Sequence, residues 1–179
     1  MLVEPLTWAL LYERGLILQG QVWRLWTGHV VHWGASHFLW DLAVFLPAGC
    51  WLERLWPARA RWFYAVTPGL ISVLLLAFDP ALLRYAGISG LATGTLVLLA
   101  GLQLRRRDEP RWPWIGVLAL VAAKLLHELI ARAPLMVQGF DGIRTVPLAH
   151  AGGVVCTGVF LWLRRKVAEP ARTDVGRRS

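Results

Sequence analysis

Long apolar runs separated by short arginine clusters organise this chain. Five runs approach the roughly 20 apolar residues that a helix needs to cross a bilayer. They cover residues 37–55, 61–78, 89–104, 112–130 and 146–163. The connections are short, so the pattern predicts an all-α, polytopic membrane helix bundle. We take residues 1–168 as one membrane domain and the polar residues 169–179 as a disordered tail. The stretch from Leu6 to Gly20 is moderately apolar but carries Glu13, Arg14 and Gln19. It is too short and too polar for a span. It also lacks the basic start and small-residue cleavage site of a secretory signal. Residues 1–28 therefore read as an interfacial lead-in.

Composition agrees with a chain in lipid. Of 179 residues, 56% are apolar and 17% charged, where soluble domains are nearer 45–50% apolar. The net charge of +8 does not mark a nucleic-acid binder, because the basic residues form short clusters between spans and not one face. The lipid bilayer is the expected partner, and nucleic acid is not. The eleven Trp suit headgroup regions. Cys50 and Cys156 lie in apolar runs and read as buried free thiols.

The clusters also set an orientation. Arg54, Arg59, Arg61, Arg105, Arg106, Arg107, Arg111, Arg164, Arg165, Lys166, Arg172, Arg177 and Arg178 fall on one side, 13 of the 19 basic residues. Arg14, Arg24, Arg84, Arg132 and Arg144 fall on the other, and Lys124 lies inside the fourth span. The richer side belongs in the cytoplasm, with the C-terminus. The segments at residues 23–32, 79–88 and 132–145 then face outward.

Polar side chains inside spans are costly and so mark candidate sites. His37, Asp41, Ser89 and His150 come from three spans but reach a similar depth near the outer side. His37 and Asp41 stack one turn apart. In Gly87-Ile88-Ser89-Gly90, the flanking glycines permit a tight turn into a helix start and leave the hydroxyl uncovered. Free backbone N–H groups at that start can stabilise an oxyanion. Gly90 and Gly94 on the third span, and Gly153 with Thr157 on the fifth, let two helices approach closely. Ser89 and His150 could then act as nucleophile and base. Each feature alone is more often packing than chemistry. Lys124 and Glu128, four residues apart, read first as a pair neutralising itself within the bundle and second as a contact to substrate. Trp23 and Arg24 read as interfacial anchors.

The ordered set Trp23-Arg24-Leu25-Trp26-Thr27, His32, His37-Phe38-Leu39-Trp40-Asp41, Gly87-Ile88-Ser89-Gly90 and Ala149-His150-Ala151-Gly152-Gly153 resembles the rhomboid intramembrane serine proteases. It covers residues 21–163. The small size, the Trp-Arg-Leu-Trp-Thr-Gly string and the Lys124/Glu128 pair look more like the rhombosortase branch. The resemblance implies a Ser89–His150 dyad without a third carboxylate. It implies an oxyanion site lined by the Ser89 N–H and His37. It implies no cofactor and no metal, transmembrane proteins as substrates, and a bacterial inner membrane with the site toward the periplasm. The rhombosortase likeness would add substrates with a C-terminal Gly-Gly-containing anchor.

Two departures stand out. Asp41 falls where rhomboids usually carry Asn; an ionised Asp accepts but cannot donate, so it would repel an oxyanion unless protonated or engaged in orienting His37. The first of the usual six spans is also missing or truncated. Two other readings remain open. One is a non-catalytic rhomboid relative that binds membrane helices. The other is a metal site drawn from His29, His32, His37, Asp41, His127 and His150, although no HExxH occurs.

Overall fold

The computed structural model describes residues 3–131 and 146–163. All five predicted spans are helices: α4 (Ala35–Leu55), α5 (Pro57–Phe78), α6 (Ser89–Gln103), α7 (Trp112–Ala131) and α8 (Pro147–Leu163). Pro57 opens α5 at its first turn, where the missing N–H costs nothing. Three of the five, α4, α5 and α7, are long and apolar enough to cross a membrane by themselves. The other two are shorter, 15 residues for α6 and 17 for α8, each within one residue of its apolar run. The reason is position: α6 packs against α4, α5, α7 and α8. A helix surrounded by helices does not have to match the lipid thickness. Its core residues Leu91, Leu98, Leu99, Ala100 and Leu102 are buried on all sides. The peripheral helices turn Trp40, Trp62, Leu70, Leu120, Leu129 and Trp162 outward.

The tightest seam joins α6 to α8. A methyl on Gly90 would lie 2.7 Å from the Ala149 carbonyl oxygen, and one on Gly94 would lie 2.8 Å from that of Gly153. A methyl on Gly153 would collide with the Gly90 carbonyl. Backbone therefore meets backbone. Thr157 Oγ1, on α8, lies 2.8 Å from the Gly94 carbonyl and 3.0 Å from that of Gly153.

The chain before α4 forms short elements: α1 (Val3–Leu10), β1 (Tyr12–Glu13), α2 (Arg14–Leu18) and α3 (Arg24–Thr27). Leu11 and Tyr12 are fully buried. Strand β1 pairs antiparallel with β2 (Arg84–Tyr85), setting Tyr12 opposite Tyr85 and Glu13 opposite Arg84. Arg24 is not an exposed anchor. It is 4% exposed and donates to the carbonyls of Trp8 (2.8 Å) and Leu11 (2.6 Å) and to Gln21 Oε1 (2.7 Å). Only a guanidinium, with donors fanned in one plane, can satisfy that many acceptors at once. Trp23 does stay exposed. Trp26 docks α3 on α5, donating from Nε1 to the Ala65 carbonyl at 2.8 Å with its ring against Gly69. The two thiols are free, but Cys50 is exposed and only Cys156 is buried. The apolar run around Cys50 faces outward and not into the bundle.

The α6–α8 seam predicts opposite outcomes for two alanine substitutions. Gly153→Ala should lower the unfolding midpoint in detergent, at the ~1–3 kcal/mol cost of overpacking. A methyl on Gly116 meets nothing within 4 Å, so Gly116→Ala should be neutral or stabilising by up to about 1 kcal/mol of helix propensity. Equal effects would show that the seam is not tight.

His29, in the 3-10 turn after α3, predicts a pH effect. Its Nε2 lies 3.0 Å from the Pro68 carbonyl and 3.0 Å from Ser72 Oγ, whose own proton goes to the Leu25 carbonyl at 2.7 Å. His29 thus donates from a neutral ring. Burial holds its pKa down at about 4, below the ordinary 6.5. The unfolded chain binds the proton first as pH falls, so stability is complete above about pH 6.5 and declines from there toward pH 4. The loss should total about 3 kcal/mol. His29→Gln should flatten that slope in midpoint-versus-pH measurements, and an unchanged slope would assign it to other groups.

Candidate active site

The segment between α5 and α6 presents Ser89. Gly87 has φ +125°, a conformation open to glycine at little cost. A side chain there would also strike His37 Cε1 at 2.8 Å. Tyr85 secures the turn by donating from its hydroxyl to the Gly87 carbonyl at 2.8 Å. Burial pushes the Tyr85 phenol pKa up, which keeps that donor protonated. The Gly87 N–H reaches the Gly28 carbonyl at 3.3 Å. The lead-in and the Ser89 turn are therefore tied together from both sides.

Ser89 occupies the first position of α6 and is partly exposed. The helical register leaves the first N–H groups of α6 without a carbonyl one turn earlier. His150, in the first turn of α8, is 5% exposed, and its Nε2 lies 2.9 Å from Ser89 Oγ. The glycine seam sets that distance, because it brings the starts of both helices together.

His37 and Asp41 lie on α4 beside Gly87. Asp41 Oδ2 stands 3.3 Å from His37 Nε2 and 3.2 Å from His32 Nε2. The His32 and His37 rings meet edge to face, with centroids 5.2 Å apart. One carboxylate oxygen therefore faces two imidazole nitrogens. His37 Nδ1 is buried without a hydrogen-bond partner among the described residues.

Glu128 was expected as half of a self-neutralising pair or as a contact to substrate, not as a partner of His150. It is 1% exposed, and its Oε2 lies 2.7 Å from His150 Nδ1. Its other oxygen, Oε1, accepts from Lys124 Nζ at 2.6 Å, and Nζ is also 3.0 Å from His150 Nδ1. The pair thus does not merely neutralise itself. The sequence does hold one clue: α6 and α7 run in opposite directions, so the end of α7 returns to the depth of Ser89. Nothing in the spacing shows which way Glu128 turns. Neighbouring His127 is exposed on α7. Of the six metal candidates, His32, His37 and Asp41 do lie together, but among the described residues no group of three or more His, Cys, Asp or Glu is placed to hold an ion. The segment at residues 132–145, expected to face outward, and the tail at 169–179, expected to be disordered, lie outside the described residues.

A polytopic helical bundle with a serine hydroxyl and an imidazole in hydrogen-bond contact at one end has the makings of a membrane-embedded hydrolase. The Rhomboid domain family model matches residues 19–166, and the chain belongs to that family, whose members are intramembrane serine proteases. No curated protein matches the chain.

The Ser89–His150 contact predicts covalent capture. A fluorophosphonate should label the wild-type protein in detergent. Ser89→Ala should abolish labelling, and His150→Ala should slow it at least about 10²-fold. Labelling that survives Ser89→Ala would remove Ser89 from the chemistry.

Proposed function

We propose that this protein is a serine-type intramembrane endopeptidase that cleaves the membrane anchor helix of other proteins near the outer leaflet. The observation that carries the proposal is the 2.9 Å between Ser89 Oγ and His150 Nε2. His150 Nε2 takes the Ser89 proton as Oγ adds to the scissile carbonyl carbon. The carbonyl π electrons move to oxygen. The resulting oxyanion receives the Ser89 N–H and His37. The intermediate collapses, the C–N bond breaks, and His150 returns the proton to the leaving amine. A water, deprotonated by His150, then adds to the Ser89 ester, and breakage of the ester bond frees the new carboxylate and restores Oγ–H. Asp41, facing both His32 and His37, serves this scheme by orienting His37. A carboxylate engaged by two imidazoles repels an approaching oxyanion less than a free one.

The length of α6 supports a recessed site. Fifteen residues span about 22 Å, less than the ~30 Å hydrocarbon core. With Arg105, Arg106 and Arg107 at the cytoplasmic surface, Ser89 stops several ångströms below the opposite one. Two supports come from sequence: the arginine asymmetry for a cytoplasmic C-terminus, and the Trp-Arg-Leu-Trp-Thr-Gly string for the rhombosortase branch. On this reading the protein sits in a bacterial inner membrane with its site toward the periplasm. Its substrates are secreted proteins held by C-terminal Gly-Gly anchors. The anchor helix must unwind to expose its carbonyls, and glycine makes that easier.

The test is a reporter with such an anchor, co-reconstituted in liposomes. Wild type should release it and Ser89→Ala should not. Replacing both glycines by leucine removes about 2 kcal/mol of helix weakness, which predicts roughly 30-fold slower cleavage. Equal rates for the two anchors would sink the Gly-Gly preference. Binding of the anchor without any cleavage would favour a non-catalytic helix-binding protein.

A further inference from the structure

We infer that Glu128 and Lys124 set the tautomer of His150, so that the site works as a Ser89–His150–Glu128 triad with Lys124 as the countercharge of its carboxylate. The inference rests on the hydrolase reading of Ser89 and His150 and goes beyond the dyad that the family resemblance implies. Its basis is the crowding at one atom. His150 Nδ1 has an acceptor, Glu128 Oε2, at 2.7 Å and a donor, Lys124 Nζ, at 3.0 Å. The two demand opposite protonation. If Nδ1 carries the proton, it donates to Glu128 and leaves the Nε2 lone pair facing Ser89 Oγ–H. If Lys124 donates to Nδ1, the proton sits on Nε2, and the imidazole has no lone pair to accept the Ser89 proton.

Glu128 wins while it is ionised, for two geometric reasons. Its oxygen is the nearer partner. Lys124 already donates to Oε1 at 2.6 Å, which keeps the carboxylate charged in a site where its side chain is 1% exposed. An ionised Glu128 then stabilises the imidazolium formed when Ser89 attacks. Of the three groups that meet at Nδ1, Lys124 has the outlet: 28% of its side chain is exposed, against 1% for Glu128 and 6% for His150. Among the described residues, the other titratable groups facing the site are His37 with Asp41 and His32 beside it, on α4 or just before it, and Tyr85 at the Ser89 turn. None of them reaches Nδ1. Glu128 is thus a positioning residue: it touches His150 and not the substrate.

Loss of Glu128 should therefore do more than remove a support. It leaves Lys124 as the partner of Nδ1 and locks His150 in the unproductive tautomer. Removing Lys124 as well should restore activity in part, an outcome that a purely structural role for the pair does not produce.

The experiment measures the maximal inactivation rate and half-saturating concentration of a fluorophosphonate on purified full-length protein, scaled to the folded fraction. The reagent reports the same step: the Ser89 O–P bond forms, the P–F bond breaks, His150 takes the proton and fluoride leaves. Glu128→Gln keeps the shape and should lower the maximal rate by about 10²–10⁴-fold, with little change in half-saturation. Glu128→Ala should fall at least as far, and Glu128→Ala/Lys124→Met should recover about tenfold over Glu128→Ala. A folded Glu128→Gln with the wild-type maximal rate overturns the inference. So does a double variant no faster than Glu128→Ala. A wild type that never labels would instead defeat the reading of Ser89 and His150 on which the inference rests.

Discussion

Contact between the backbones of α6 and α8 is the constraint on which the site depends. In lipid, apolar surface gives two helices no reason to prefer each other over acyl chains, so close packing and polar contacts must hold them. Gly90, Gly94 and Gly153 remove the side chains that would keep the two axes apart, and Thr157 adds its hydroxyl between the Gly94 and Gly153 carbonyls. The starts of both helices are thereby brought together, and each start carries one group of the proposed dyad. A wider seam would leave Ser89 and His150 in place along their helices but out of hydrogen-bond reach.

The second constraint is polar and lies outside the spans. Arg24 gathers the carbonyls of Trp8 and Leu11, β1 pairs with β2, and Tyr85 holds the Gly87 carbonyl. Buried carbonyls without partners are costly. Each of these contacts therefore fixes a segment that is too short to fix itself. The lead-in is built into the fold, where it buttresses the turn that presents Ser89.

Charge placement follows the same logic. The low-dielectric interior tolerates Glu128 only beside Lys124 and His150, and Asp41 only beside His32 and His37. Each carboxylate is next to an imidazole that the proposed chemistry needs. The carboxylates orient rings that otherwise have few polar neighbours at this depth. The Asp41 departure from the usual Asn is matched by His32, a second partner for the same oxygen.

The sequence by itself determined the five helices to within a few residues, because apolar length and arginine punctuation report directly on lipid and water. It also singled out Ser89, His150, His37 and Asp41, since polar groups are conspicuous against such a background. The glycines of the seam were legible for the same reason: their spacing puts small surfaces on one face. Only the tertiary structure decided where Glu128 and Arg24 point. Spacing along a helix says which residues share a face but not which neighbour that face meets. Glu128 could equally have paired with Lys124 alone, away from α8, and Arg24 could have turned toward headgroups. The rotation of α7 against α8 and the fold-back of the lead-in brought each charge to its partners. Those are long-range packing choices that no local pattern in the chain records.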